Sequence, residues 1–200
     1  MNRARFDAFS DGVFAFAITL LILNVALPDE LRRHAPAEAE LTRALLGLWP
    51  SLLAYILSFA VIGIMWQSHH ALFRLVARID RKTIFLNLML LCVTVFIPFA
   101  TSMLGSYMTT RPATILYGLT LTSSALCYNA ILTHLISARA FREDVAATVV
   151  HRTVIAYRVG LVTYASATLV GLFAPLVSFV LYVCVAAYFV FPRGVDADLP

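Results

Sequence analysis

The fold of this chain is decided by residues 5–27, which read RFDAFSDGVFAFAITLLILNVAL. Arg5, Asp7 and Asp11 stand at the start of this segment, and no charged residue follows between residues 12 and 27. A charged side chain at the edge of a bilayer is costly unless it is paired or hydrated. We therefore expect a membrane-spanning helix whose charged and polar groups have a defined structural or functional role.

The composition of the whole chain indicates an all-α membrane protein. Of its 200 residues, 61% are hydrophobic and 13% are charged, and the mean hydropathy is +0.86. Soluble domains carry about 25% charged residues. The net charge of +4 would suit nucleic acid, but in a chain this apolar the excess of arginine is better explained as a topology signal. No nucleic-acid partner is predicted.

Long charge-free runs predict six membrane-spanning helices in a single domain over residues 1–200. A helix needs about 20 residues to cross the hydrocarbon core. The first run is shorter and must reach back to about Phe6, whereas the last run is too long and is divided by Gly171 and Pro175 into a helical hairpin. A single kinked helix in the last run would give five helices. The predicted spans are 6–27, 49–73, 84–108, 113–138, 153–173 and 176–191.

Arginine and lysine are distributed unevenly between the two sides of these spans. With the N-terminus inside, the positive-inside rule places both termini in the cytoplasm. The inner segments hold Arg3, Arg5, Arg74, Arg78, Arg81, Lys82, Arg139, Arg142, Arg152, Arg158 and Arg193, and the outer segments hold Arg32, Arg33, Arg43 and Arg111.

Residues 28–48 are expected to form a solvated outer loop with room for a short helix. Residues 139–152 are expected to form a small amphipathic cytoplasmic helix. Asp7 and Asp11 argue against a cleaved signal peptide.

Neither catalysis nor metal binding is supported by the spacing of reactive residues. Cys92, Cys127 and Cys184 lie inside apolar runs and are expected to be buried packing residues rather than disulfides or metal ligands. His69 and His70 are adjacent, so on a helix they diverge by about 100° and cannot share one ion. We predict no enzyme activity, no metal site and no bound cofactor.

The first predicted helix has one apolar stripe. At helical spacing its members are Phe9, Gly12, Phe16, Leu20, Leu23 and Leu27, and Thr19 lies at its margin. Such a stripe can face lipid, pack against another helix or line a pore. The residues alone favour one of the first two roles.

Several polar groups of the first three predicted helices lie at a similar depth near the inner side. They are Arg5, Ser10, Asp11, Trp66, His69, His70 and Asn87. Because unpaired polar groups are expensive in a membrane, we expect these groups to bond to one another. The cluster is either a proton or ion site or a structural clamp that holds the first helix to the second and third. His134 and Asn129 are expected to be satisfied by packing partners.

The pattern Arg5-x-x-x-Phe9-Ser10-Asp11-Gly12, which continues through Ala15 into Leu21, resembles the start of a known family. The family is that of the potassium channels typified by the lysosomal channel called transmembrane protein 175, specifically its prokaryotic members. The second-helix Trp66, His69 and His70 are also similar to that family. The resemblance implies homotetramers of single-repeat subunits with a pore lined by the first helices. It also implies a constriction made of large apolar side chains, and this sequence contains no TVGYG filter.

For this chain, the resemblance implies that the apolar stripe of the first helix faces the pore axis. The pore-lining residues would be Phe16, Thr19, Leu20, Leu23 and Leu27. Related sequences usually have isoleucine at the position of Phe16, so a ring of phenylalanines would close the pore more firmly or change its selectivity. The expected function is a potassium-preferring cation channel in a prokaryotic cytoplasmic membrane, with K⁺ and other monovalent cations as permeant ions. The alternatives are a secondary transporter, a proton-permeable channel and a non-conducting structural membrane protein.

Overall fold

The computed structural model describes residues 3–28, 31 and 36–190. The arginines that the topology prediction used at positions 32, 33 and 193, and the last residue of the predicted span 176–191, lie outside the described residues. Within them the chain is helical and contains no β-sheet, only one isolated bridge. The helices are α1 (Arg3–Leu20), which a 3₁₀ turn (Leu21–Asn24) extends, α2 (Glu38–Gly47), α3 (Trp49–Arg74), α4 (Arg81–Ser106), α5 (Arg111–Ser137), α6 (Ala147–Val170) and α7 (Pro175–Val190).

Six of these helices correspond to the six predicted spans. Five of the six, those with α1 and α3 to α6, are long and apolar enough to cross a membrane. The sixth, α7, has 16 residues and is therefore ~24 Å long, slightly short of the ~30 Å hydrocarbon core. A turn at residues 171–174 separates it from α6. Pro175 can begin α7 because the first residue of a helix needs no N–H partner.

The first span differs from the prediction at its outer end. The α-helix stops at Leu20 and tightens into the 3₁₀ turn, so Leu27 lies beyond the helix. Two causes act here. Pro28 disfavours helical dihedral angles at the residue before it, and the Asn24 side-chain amide donates a hydrogen bond of 2.8 Å to the Pro98 carbonyl of α4.

The connection between α5 and α6 also differs, since residues 139–146 do not form the predicted amphipathic helix. Arg139 has a φ of 48°, a left-handed conformation that ends α5. The chain then runs beside the end of α3, where the Ala77 N–H donates to the Ala140 carbonyl at 2.8 Å and the Arg142 N–H donates to the Leu75 carbonyl at 2.9 Å. These backbone bonds replace those of a helix, and α6 begins at Ala147.

The helices pack in a consistent order. The first helix, α1, lies on α3 and α4, α4 lies on α5, α5 on α6, and α6 on α7, which also contacts α3 and α5. The helices approach closely at Gly118 of α5, where an added Cβ would lie 2.0 Å from the Tyr182 hydroxyl and 2.3 Å from Thr168 Oγ1. A buried hydroxyl cluster joins α3, α4 and α5, because Ser58 Oγ lies 2.7 Å from Thr101 Oγ1 and 3.0 Å from the Tyr117 hydroxyl. Such hydrogen bonds between helices hold a bundle together within a membrane.

One end of the bundle, which we call the arginine-rich face, carries the start of α1, the α3–α4 turn, the end of α5 and the start of α6. The Arg3 guanidinium donates to the carbonyls of Phe73 and Val76 at the end of α3. Asp80 caps α4 by accepting hydrogen bonds of 2.7 Å from both the N–H and the hydroxyl of Thr83. His134 Nε2 of α5 lies 2.9 Å from the same carboxylate. Asp80 therefore both caps α4 and links it to α5.

Asp80→Ala is expected to lower the free energy of unfolding by about 1 kcal/mol at neutral pH, because α4 loses its cap. The hydrogen bonds from Thr83, and then that from His134, lower the pKa of the Asp80 carboxyl from 3.8 to about 2. A carboxyl with a lowered folded-state pKa stabilises above its unfolded-state pKa and loses that contribution as the pH falls through the folded-state value. The difference in the free energy of unfolding between the wild type and Asp80→Ala should thus shrink as the pH falls from about 4 to 2.

Thermal unfolding in detergent at several pH values checks this expectation. Glu143→Ala, which removes an exposed carboxylate from the same face, is the matched control and should unfold like the wild type. Equal stability of the Asp80→Ala and wild-type proteins at neutral pH would contradict the assignment of Asp80 as a stabilising cap.

Candidate functional site

The first helix has a buried face that holds it against the rest of the bundle. Phe6 and Phe14 are 2% and 1% exposed, and Ser10, Ala17 and Leu21 are completely covered. These residues recur at intervals of three and four, the spacing of one helical face. The contacts that cover them come from α3 and α4, so this side of α1 is fixed within the subunit.

The opposite face of α1 is open and carries large apolar side chains. Phe9, Phe16 and Leu23 are 54%, 59% and 70% exposed. Among the other residues of the predicted stripe and its margin, Gly12 and Thr19 are exposed, and Leu20 and Leu27 are half-buried. The Thr19 hydroxyl donates a hydrogen bond of 2.9 Å to the Phe16 carbonyl, which leaves its oxygen lone pairs available to an approaching cation.

A chain of hydrogen bonds crosses the buried face from α3 through α4 to α1. His69 Nε2 lies 2.8 Å from the Asn87 side-chain oxygen, which can only accept, so this nitrogen carries the proton. The Asn87 amide donates to Ser10 Oγ at 3.0 Å, and the Ser10 hydroxyl donates to the Phe6 carbonyl at 3.1 Å. All three side chains are at most 2% exposed. Every member is satisfied by its neighbour, as a buried polar network requires.

Aromatic rings enclose the His69 end of this chain. The ring centroid of His69 lies 4.6 Å from that of Phe73, 5.4 Å from that of Phe14 and 6.1 Å from that of Phe6. Two of these phenylalanines belong to α1 and one to α3. The rings restrict the orientation of the imidazole, and the network thereby fixes the rotation of α1 about its own axis.

Asp11 makes a separate connection to α3. Its carboxylate accepts a hydrogen bond of 2.8 Å from the Trp66 indole N–H. The Trp66 ring stacks on His70, with centroids 6.1 Å apart and an interplanar angle of 29°. Asp11 is only half-buried, and Trp66 and His70 are exposed. The polar residues expected to form one cluster are thus divided between a buried chain and an outer pair.

The structure places Arg5 outside both groups. Its side chain is exposed and makes no hydrogen bond or ion pair with any described residue. The prediction that Arg5 bonds to His69 or His70, Trp66 or Asn87 is therefore wrong. The reason is angular, because Arg5 lies on the same side of the helix as Phe9 and Phe16, away from Ser10. Arg3 instead makes the contact with α3, and it also lies 3.6 Å from Asp7.

The prediction that the three cysteines are buried is also wrong, since Cys92 and Cys184 are exposed and Cys127 is half-buried. An apolar run does not predict burial in a membrane protein, because the outer surface of such a protein is also apolar. Among the described residues, no three His, Cys, Asp or Glu side chains come together as possible metal ligands.

Sequence reasoning missed the two contacts that fix the ends of the first helix. Arg3 binds the end of α3, and Asn24 binds the Pro98 carbonyl in α4. A proline within a helix frees the carbonyl four residues before it, here that of Thr94, so Pro98 did not mark its own carbonyl as the partner of Asn24. No pattern in the sequence identified the partners of Arg3 either.

Three comparisons relate this chain to known proteins. A family model described as the endosomal/lysosomal potassium channel TMEM175 matches residues 5–98. A potassium channel of Streptomyces collinus is 45% identical over 140 residues, which cover 68% of this chain and 66% of that protein. The human endosomal/lysosomal proton channel TMEM175 is 37% identical over 103 residues, which are 50% of this chain and 20% of the human protein.

The fold is also found among solved structures. The crystal structure of a lysosomal potassium-selective channel TMEM175 homolog from Chamaesiphon minutus superimposes with a TM-score of 0.82 at 34% identity. The match covers 93% of this chain and 95% of that one. The family resemblance and the all-α membrane fold predicted from the sequence are thereby confirmed.

The hydrogen-bond chain predicts energetic coupling between Ser10 and Asn87. Each single alanine variant leaves a buried polar partner unsatisfied, which costs about 1–3 kcal/mol. The double variant should cost about 1 kcal/mol less than the sum of the two singles, because residues in one network couple. Unfolding in mixed detergent micelles measures all four proteins. Ser10→Ala combined with Thr120→Ala on α5 is the control pair and should be additive. Additivity of the Ser10 and Asn87 variants would reject the network.

Proposed function

Because this chain belongs to the TMEM175 family of channels, we propose that it is the subunit of a homotetrameric, potassium-preferring cation channel in a prokaryotic cytoplasmic membrane. The chain is a cation channel of the TMEM175 type, and the family consists of channels rather than enzymes. The ion preference, the number of subunits and the residues of the pore are our proposals.

One observation carries the proposal, namely the division of α1 into a fixed face and an open face. The fixed face holds the His69–Asn87–Ser10 hydrogen bonds, and the open face presents Phe16 and Leu23. Phe9 and Phe16 remain uncovered on the open face although Phe6 and Phe14 on the fixed face are buried, and the open face coincides with the stripe that the family resemblance assigns to a pore. Such an arrangement suits a helix that meets its own copies.

A single subunit cannot enclose a pore, because it offers only one such face. Closed cyclic symmetry is the usual solution for identical subunits. The names of the bacterial relatives describe potassium channels, and the resemblance of the first helix to this family implies four copies. Four α1 helices around one axis would bring their open faces together.

The open face would form the constriction. We propose that Phe16, Leu20 and Leu23 provide the narrowest rings and that Leu27, beyond the helix, lies where the pore widens toward the outside. An apolar ring cannot replace the water around an ion and can close a pore by dewetting. K⁺ sheds its water more readily than Na⁺, so such a passage would disfavour Na⁺, while the lone pairs of Thr19 would compensate partly for the lost water.

The arginine-rich face would lie in the cytoplasm. Arg3, Arg74, Arg78, Arg81 and Arg139 all lie at this end of the bundle, and cytoplasmic loops carry an excess of such residues. Both termini would then be cytoplasmic.

The second candidate is a proton-permeable channel. The specific observation in its favour is the name of the human relative, which describes a proton channel. A wetted apolar pore carries protons along water without stripping an ion of its hydration shell. A transporter or a non-conducting structural protein has no comparable support from the described residues.

Ion flux into liposomes that contain the purified protein tests these proposals together. The wild type should pass K⁺ down its gradient faster than Na⁺, without a counter-substrate, and a parallel H⁺ measurement separates the second candidate. Leu20→Ser and Leu23→Ser should wet the constriction, raise K⁺ flux several-fold and weaken the preference for K⁺. Cys184→Ser on α7 is the matched control and should change neither. Wild-type flux and selectivity in both leucine variants would show that α1 does not line the constriction.

A further inference from the structure

Arg158 lies half-way along α6 and is the only charged residue between residues 153 and 170. Its side chain is exposed and forms no ion pair with any described residue. The sequences of α5, α6 and α7 contain neither aspartate nor glutamate, so no carboxylate is available on the helices around it. A guanidinium this far into a membrane protein normally has a partner or reaches the interface.

The side chain of Arg158 lines a groove between α5 and α6. The groove has a volume of about 190 Å³, and its walls include Thr133, Ser137, Ile136 and Val154. The Ser137 hydroxyl donates to the Thr133 carbonyl at 2.8 Å, whereas the Thr133 hydroxyl has no hydrogen-bond partner among the described residues and is free to donate. The groove therefore combines one cation and hydroxyl groups with an apolar wall.

The direction of the groove follows from helix geometry. Side chains on a helix lean toward its N-terminus, and the N-terminus of α6 lies at the arginine-rich face. Arg158 is thus inclined toward the membrane interface on that side, as long basic side chains commonly are. At the deeper end, the Asn129 amide of α5 donates a hydrogen bond of 2.9 Å to the Tyr157 carbonyl of α6, which closes the groove beside Arg158.

The groove lies on the side of the subunit away from α1. The first helix packs on α3 and α4, whereas α6 packs on α5 and α7. If the open faces of α1 surround a central axis, α6 lies at the rim of the assembly, next to lipid. This step rests on the proposed function, but the lipid experiment below does not require conduction.

We propose that this groove binds the phosphate of an anionic phospholipid in the leaflet next to the arginine-rich face. Guanidinium groups bind phosphate with paired, charge-assisted hydrogen bonds, and the Thr133 hydroxyl adds a donor at the same site. Ile136 and Val154 offer an apolar surface to the acyl chains. The occupant is a lipid rather than a free ion, because the groove opens along two membrane-spanning helices and has an apolar wall.

Native mass spectrometry of the purified protein with added phosphatidylglycerol or phosphatidylcholine tests this site. The wild type should retain more phosphatidylglycerol than phosphatidylcholine. Arg158→Gln should weaken that retention at least about ten-fold, because a hydrogen bond to a charged group contributes roughly 1.5 kcal/mol or more. Arg158→Lys should keep part of the retention of phosphatidylglycerol. Arg78→Gln removes the same charge from an exposed position outside the groove and should bind the lipid like the wild type.

Two results would overturn the proposal. The first is equal retention of phosphatidylglycerol by the wild type and Arg158→Gln. The second is displacement of the bound lipid by inorganic phosphate at an equal concentration, since that would identify a site for free phosphate. Measurement of the thermal unfolding of each variant ensures that a loss of lipid binding is not a loss of the fold. Because these readouts do not involve ion flux, a failed lipid site and a failed channel assignment are distinguishable.

Discussion

The hydrogen bonds that run from His69 through Asn87 to Ser10 are the constraint on which the rest of the site depends. They are buried, each donor has one acceptor, and they join three helices. A donor or acceptor left without its partner in such a place costs more than the bond itself contributes. The first helix therefore has one favourable rotation, and in that rotation Phe16 and Leu23 are directed away from the subunit.

Both ends of the first helix are held by different means. Arg3 binds backbone carbonyls at the end of α3, and the Asn24 amide binds the carbonyl of Pro98 in α4. Between these ends, the exposed face is continuous from Phe9 to Leu23. A helix fixed at its ends and on one side can support a narrow pore, because the position of each ring is then set by the subunit rather than by the passing ion.

The sequence predicted the helices well because their signals are local. Charge-free runs of about 20 residues, prolines and glycines mark where spans begin and end. It also predicted that Ser10, Asp11, Trp66, His69 and Asn87 need partners, because polar groups in a membrane do. The sequence could not show which of these polar residues bond to each other. Arg5 and Arg3 differ only in their angle around α1 and in what α3 offers at its end, and both depend on tertiary packing. The cysteines illustrate a second limit, because apolar patterning in a membrane protein does not separate a buried face from one that faces lipid.

The central claim is that the open face of α1 lines the ion pathway, and cysteine accessibility tests it most directly. On a background in which Cys92, Cys127 and Cys184 are replaced by serine, single cysteines at Phe16 and Leu23 are compared with one at Val162, an exposed position on α6. A water-soluble, cationic thiol reagent should reduce the current through channels with Phe16→Cys or Leu23→Cys and leave those with Val162→Cys unchanged. Unaltered current at both α1 positions, together with block at Val162→Cys, would contradict the account.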